Sequence, residues 1–493
     1  KIEKNRNFFF RPYSIFIMDF EENETELDEN NIGLDFSFNP NFSTKLKLSY
    51  NPDFSDVPMD SEQDIYNLKY GPTYSENRYF FIEDFNAFGI SNTTFYSRHI
   101  MQPQYAFKFT GKNEHYSFGV LSTMDKLIKE TYTIINEDSS TTNKTEVVNP
   151  DDIYNIIAFK PTGKQFSFQF TLLNRMNDDY HNEVLHLKPV WEFSKNKSLW
   201  VDMNLSTNEV DNNSQNGYYG NAGYSLIQKD FSLSISARQM SKNYIVDMGK
   251  IYEDNYYGWN INSHLSKDVN NQIIRELKSN LALSEEIDND TNDLLERYSS
   301  ISLELYSQYN LNITFDFAYV KELYSQEYFD KRSTSLQISW DKIDWLNAFV
   351  GINKTRYIIY KLQNIYDGYY NQFGVSGVIS KSLAYRVYAE NILYFDIPSP
   401  DEVDGTEVDD GYWIGNLDLN FNLTNSLSLT NGLRYNNHEA YGYSKYIGFF
   451  SNFRWEFKKG CDLYIGYKST IDEINDKYEI DYNQAYIKVS YTF

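Results

Sequence analysis

Apolar and polar residues alternate one by one along this chain, in segments of about ten residues that recur from near residue 5 to the last residue. Leu311, Ile313, Phe315, Phe317 and Tyr319 alternate with Asn312, Thr314 and Asp316. Phe166, Phe168 and Phe170 alternate with Ser167, Gln169 and Thr171, and Leu199, Val201, Met203 and Leu205 with Asp202 and Asn204. Leu417, Leu419, Phe421 and Leu423 alternate with Asp418, Asn420 and Asn422. Successive side chains of an extended strand point to opposite faces, so each segment reads as a strand with one apolar face and one wettable face, none with a second apolar face.

The connections alternate as well. Short turns at 39–43, 111–114, 161–164, 194–198, 424–426 and 458–460 are interleaved with longer polar stretches at 128–151, 206–216, 285–293, 396–410 and 472–481. Short turns at one end and long loops at the other are the pattern of an outer-membrane barrel, with the short ones periplasmic. Soluble sandwiches also alternate, but a chain of this length would divide into domains of about 100 residues joined by linkers. Here the pattern is unbroken, and the 493 residues include only 11 Pro. No run of about 18 apolar residues is present, which excludes a membrane-crossing helix and leaves crossing by strands open. Aromatic residues make up 17%, as aromatic girdles require. The expected fold is all-β: a transmembrane antiparallel outer-membrane β-barrel of about 24 strands with an apolar belt about 25 Å tall. It is expected to form a single domain over residues 1–493, in the outer membrane of a Gram-negative bacterium, with both termini periplasmic.

One region breaks the rhythm. From Asn51 the chain reads NPDFSDVPMDSEQDIYNLKYGPTYSENRYFFIEDFNAFGISNTTFYSRHI. Asn51, Pro52, Asp53, Phe54, Val57 and Asp60, then Glu76, Arg78, Phe80, Phe81 and Glu83, then Phe95, Tyr96, Ser97, Arg98 and Ile100 form a pattern of three blocks. With later echoes at YIVDMGKI (244–251) and RWEFKKGCDLYIGY (454–467), this resembles the barrel region of the DUF5916-type family, Bacteroidota-type proteins described as carbohydrate-binding family 9-like domain proteins. Ser55, Pro58, Met59, Asn77 and His99 depart from the family's usual residues. The resemblance implies a barrel, and an N-terminal sugar-binding-like domain that this sequence does not include. It reads as a mature or partial chain, with no signal peptide at KIEKNRNFFF.

Residues 53–92 are expected to fold inward as a plug, or otherwise to cover the rim, since a barrel of about 22 strands is already wide enough to need filling. Phe80, Phe81, Phe85 and Phe88 would make a small core. Asp53, Glu76, Arg78, Glu83 and Arg98 are the candidate plug or gate residues, with both arginines facing carboxylates because an unpaired buried charge is costly.

A net charge of −24 argues against nucleic acid as a partner. The six His have no metal-ligand spacing, no GxSxG elbow or phosphate loop is present, and the single Cys461 excludes an internal disulfide. No catalytic residue and no cofactor is expected. Acidic loops around Asp288, Asp290 and Asn292, and around Asp404, Glu407 and Asp409, are weak candidates for Ca2+. Three functions are compatible with the sequence: a plugged or gated pore for transport or export, a non-conducting scaffold or binding subunit of an envelope complex, and a barrel-borne hydrolase. The expected partners are outer-membrane lipids and lipopolysaccharide, the barrel-assembly machinery during insertion, and lipoproteins or other envelope subunits.

The chain ends AYIKVSYTF, a strand with alternate apolar residues and Tyr491 and Phe493 at its tip. It resembles the terminal signal read by the barrel-assembly machinery. Deleting Phe493 is therefore expected to lower the yield of folded, heat-modifiable protein in membranes, measured by gel mobility before and after boiling.

Overall fold

The computed structural model describes residues 8–21, 24–41, 43–52, 59–61, 63, 67–135, 141–149, 151–163, 165–210, 213–398, 407–437, 445–474 and 477–493. Twenty-four antiparallel strands form one closed sheet. Each pairs with its neighbours in sequence, and the first, Phe8–Glu21, pairs with the last, Lys477–Ser490, from Tyr13↔Ser490 to Asp19↔Gln484. Closure leaves no strand edge, which is the condition for a sheet to sit in hydrocarbon.

Register carries the alternation around the ring. Leu303, Phe315, Leu336 and Ile352 stand directly opposite one another on four successive strands, as do Ile313, Ile338, Val350 and Phe373. All but Ile313 are exposed. On the other face Ser302, Asp316, Ser335 and Asn353 are aligned in the same way. A one-residue slip would exchange the faces, so the two-residue period fixes the pairing wherever one face meets lipid. Because the strand number is even, Phe8 and Ser490 lie at the same rim as the short turns: Phe8 pairs with Phe38 beside the Asn41–Thr44 turn, and Ser490 with Asp462 beside the Lys458–Cys461 turn.

The structure differs from the sequence reading in five places. Many strands run to 14–18 residues rather than ten. The expected loop at 206–216 is mostly ladder, with Asn208↔Gln215 and Glu209↔Ser214 paired, because backbone hydrogen bonding continues above the lipid where side-chain polarity no longer matters. Residues 128–151 contain a separate two-stranded hairpin, Ile128–Ile135 with Thr141–Asn149, outside the ring. The strand Ile153–Pro161 is apolar on both faces: Ile157 and Phe159 are exposed, while Tyr154, Ile156 and Ala158 are buried. Finally, the interruption between ring strands runs from residue 51 to 102, wider than 53–92.

Which face meets lipid has a measurable consequence. Leu336→Arg, on the exposed apolar face, is expected to cost about 2–4 kcal/mol. The adjacent Gln337→Arg, on the other face, should change stability far less. Reversible urea unfolding in lipid vesicles compares the two.

Candidate functional site

The chain leaves the ring at Tyr50, at the rim opposite the short turns, and returns to the neighbouring strand at Pro103. Asp53 lies outside the described residues. The segment has little regular structure of its own, one helical turn at Tyr79–Ile82 and 3-10 turns at Phe85–Ala87 and Ser97–His99. Its position is set by side chains.

One side is held by an apolar core. Phe81, Phe88, Phe95 and Ile100 are buried against Leu121, Tyr154, Ile156, Ala158, Leu173 and Val184 of the wall, with Phe80 and Phe85 partly buried beside them. This explains the second apolar face of strand Ile153–Pro161. Tyr244, Val246 and Met248 join the same core from residues 241–255, a second stretch that leaves the ladder. Its backbone is bonded to the segment at Tyr96 N to Met248 O (2.5 Å) and Lys250 N to Asn92 O (3.1 Å). The ring of Phe88 stands 2.7 Å from where a Cβ would project at Gly119, so only glycine there leaves room for it.

Near the short-turn rim the attachment is ionic. Lys45 pairs with Glu83 (3.0 Å) and Asp84 (3.2 Å), and Lys47 also pairs with Glu83. Lys108, opposite Lys47 in register, donates to the carbonyl oxygens of Phe80 and Glu83. Gln169 Nε2 donates to the carbonyls of Phe88 (3.0 Å) and Gly89 (2.9 Å). Lys45 follows the Asn41–Thr44 turn and lies about 17 Å below Tyr50 along the strand. The segment therefore enters at one rim and is anchored close to the other.

The remaining attachments lie farther around the ring. Lys69 pairs with Glu253 and, at 3.2 Å, with Glu322, which also holds Lys331. Asn67 bonds the carbonyl of Ile358 (2.7 Å) and accepts from the amide of Tyr360 (3.1 Å). Arg434 donates to the carbonyls of Asp60 (3.1 Å) and Met59 (3.3 Å). Counted around the ring, the Lys45 strand Thr44–Tyr50 is third and the Glu322 strand Leu311–Tyr324 is fifteenth, twelve of 24 apart. One short segment bonded to diametrically opposite strands crosses the inside of the ring.

Within the segment Arg78 is 5% exposed. Its guanidinium bonds both carboxylate oxygens of Glu76 (2.8 and 2.7 Å) and the carbonyls of Ile100 (2.6 Å) and Ser97 (2.7 Å), over the ring of Phe81. Ser97 Oγ donates to Glu76 (2.6 Å). Arg98 pairs with Asp60 (2.7 Å). Burial alone would raise the Glu76 carboxyl, but the bonds and charge of Arg78 outweigh it and hold the group below the usual carboxylate range. Burial works against the Lys69 ammonium too, and Glu253 and Glu322 more than offset it. Burial, reinforced by Glu253, pushes the Tyr70 phenol up. His99 is held below its ordinary value by burial.

The arginines' partners thus lie inside the segment itself, whereas Glu83 reaches the wall. Lys45, Lys47, Lys108, Lys69, Glu253, Glu322 and Arg434 were not singled out in the sequence. The signal for two of them is legible in TKLKLSY, which places Lys45 and Lys47 together on the polar face. At the acidic loops, Asp288 Oδ1 accepts the amides of Asp290 and Thr291 (both 2.8 Å), closing a turn. Asp290 accepts from Asn255 (2.9 Å), and Asn292 has the left-handed φ of 58° that a tight turn needs. Asp404 lies outside the described residues, and of Glu407 and Asp409 only the backbone, on strand Glu407–Asn422, is described. Among the described residues no three His, Cys, Asp or Glu converge as metal ligands do. At the C-terminus, Tyr491 N donates to the carbonyl of Pro12 (3.1 Å) and Phe493 N to that of Phe10 (3.0 Å), extending the closing seam.

A closed, even-stranded antiparallel barrel with an apolar outer belt is an outer-membrane-type β-barrel. The chain belongs to the family described as Domain of unknown function (DUF5916), whose profile matches residues 104–399. No curated protein sequence matches it. In fold it is similar to the siderophore receptor PirA from Pseudomonas aeruginosa, with 8% identity, a TM-score of 0.50, and coverage of 100% of this chain and 81% of that one. The FrpB iron transporter from Neisseria meningitidis matches at 9% identity and a TM-score of 0.46, over 99% of this chain and 82% of that one.

Removing Arg78 would leave the half-buried Glu76 without its cation, so Arg78→Ala is expected to destabilise the segment by up to about 3 kcal/mol, the lower end of the cost of breaking a buried pair. The depressed Glu76 value fixes the pH dependence. A lowered folded pKa contributes stability fully above the ordinary value of about 4.3 and loses it as pH falls through the folded value. Amides of residues 74–100 should therefore keep their protection from neutral pH down to about pH 5 and lose it below about pH 4. Hydrogen exchange read by mass spectrometry, corrected for intrinsic rates, checks both expectations against the ring strands as internal standard.

Proposed function

We propose that the protein is a gated pore of the outer membrane of a Gram-negative bacterium, acting in transport or export, in which the segment from residue 51 to 102 is the plug. The carrying observation is the bonding of that segment to strands on opposite sides of the ring. An unfilled ring of this size would pass small solutes freely. The likeness in fold to an outer-membrane siderophore receptor supports the transport class without naming a cargo. In this reading the short-turn rim and both termini are periplasmic, and the outer belt faces lipid with lipopolysaccharide in the outer leaflet. The terminal strand engages the assembly machinery, and envelope lipoproteins are candidate partners.

The two sides of the plug are unlike, and this suggests how it moves. Residues 78–102 are fixed by the apolar core to one arc. Residues 59–73 reach the opposite arc through Lys69, Asn67 and the Arg434 contacts, all polar or ionic. Polar contacts exchange with water at small net cost, whereas stripping an apolar core exposes all its area. Opening is accordingly a displacement of residues 59–73 from the Glu322 side, with the Glu76–Arg78 pair and the rest retained.

Replacing residues 59–73 with a short Gly/Ser linker, which keeps the Glu76–Arg78 pair, should raise single-channel conductance in planar bilayers several-fold and admit large hydrophilic antibiotics in cells, with the folded barrel's heat-modifiable migration kept. Conductance equal to the native protein's, with loss of co-purifying envelope proteins, would favour the scaffold reading instead.

A further inference from the structure

A cavity of about 650 Å3 lies between the interior segment, residues 241–255 and the far wall. Five carboxylates line it: Asp202, Glu253, Glu286, Glu296 and Glu322. Against them stand Arg238, Lys250 and Lys331, and a fourth cation, Lys69, that the interior segment contributes. Lys69 takes Glu253 and Glu322, Arg238 takes Glu286 (2.8 Å), and Lys188 takes Asp202 (2.9 Å). That leaves Glu296 as the carboxylate of this set without an ion pair among the described residues.

Six tyrosines complete the wall: Tyr70, Tyr219, Tyr244, Tyr252, Tyr256 and Tyr360. Four of them already turn ring faces to cations, Tyr70 to Lys69 at 5.2 Å, Tyr252 to Lys250 at 5.6 Å, Tyr256 to Arg238 at 5.8 Å and Tyr360 to Lys331 at 5.9 Å. Asn204, 2% exposed, lines the same cavity with an Oδ1 that has no hydrogen-bond donor. A buried acceptor left without a donor costs free energy that a donor-bearing ligand would recover. A carboxylate without an ion pair among the described residues, electron-rich ring faces and an unmet acceptor all select the same chemistry. A primary ammonium group carries three donors and no acceptor, and it is drawn to aromatic faces.

We propose that this cavity binds a small organic polycation bearing primary ammonium groups, with Glu296 and Asn204 as free acceptors and the tyrosines as the walls. Lys69 shows how an ammonium is held here, between two carboxylates and against a tyrosine ring, and it competes with the ligand for Glu253 and Glu322. The neighbouring carboxylates also make a bare divalent ion the obvious rival, but they do not converge on one point as metal ligands do. A neutral oligosaccharide would satisfy the rings and leave the charge unanswered.

The site is tested by titrating spermidine calorimetrically into the whole protein in detergent at low salt, with heat-modifiable migration confirming that each variant is folded. Saturable one-site binding is expected. Lys69→Met removes the internal competitor and should tighten binding about tenfold, a gain that a purely structural lysine would not give. Glu296→Gln should weaken it by a similar factor. Trilysine in place of spermidine distinguishes a lysine peptide from a free amine as the source of the ammonium groups. No saturable binding by either probe in both the native protein and Lys69→Met would overturn the proposal. So would weaker binding in Lys69→Met, or equal binding by magnesium chloride or maltotriose. The measurement reads the cavity whether or not any solute crosses the barrel, so it stands or falls apart from the pore reading.

Discussion

A backbone N–H or C=O left without a partner in hydrocarbon costs several kcal/mol, and a sheet meets that condition only by closing on itself. The seam from Tyr13↔Ser490 to Asp19↔Gln484 is where this chain does so, joining residues nearly the whole sequence apart. The amides of Tyr491 and Phe493 carry the pairing past the last strand to the carbonyls of Pro12 and Phe10. Without that seam two open edges would face lipid. With it, the inner faces of the ring strands are turned toward a shared interior.

Closing 24 strands creates a second problem, an interior too wide for facing side chains to fill. Two departures from the ladder, residues 51–102 and 241–255, pack on each other as well as on the wall. The wall adapts locally to receive them. Tyr154, Ile156 and Ala158 give one arc an apolar inner face, Gly119 makes space for Phe88, and Lys45, Lys47 and Lys108 meet acids and carbonyls of the segment. The far arc offers carboxylates and tyrosines instead. That division, an apolar core with lysines on one side and carboxylates with tyrosines on the other, underlies both the proposed gate and the proposed cation site.

Much of the architecture was legible because it follows from a local rule. A period of two with an apolar face needs no knowledge of distant residues, and neither does the even count that brings both ends to one rim. Strand length was less legible: at Asn208↔Gln215 and Glu209↔Ser214 polar pairs prolong the ladder where the alternation gives no reason to expect it. Backbone hydrogen bonds hold those pairs, and they leave no mark on side-chain pattern.

The interior was legible only in outline. Residues 51–102 stood out as an interruption, and Glu76, Arg78, Glu83 and Arg98 as charges in need of partners. Sequence by itself determined the strands, their faces and that something must be bonded to those charges. Tertiary structure decided which partners: Glu76 for Arg78 and Asp60 for Arg98 within the segment, Lys45 and Lys47 for Glu83 across to the wall, and Glu322 for Lys69 half a ring away. The physical reason is the range of the forces involved. Alternation is enforced residue by residue along one strand, whereas an ion pair across the interior exists only once the ring has closed and set the distance between its opposite walls.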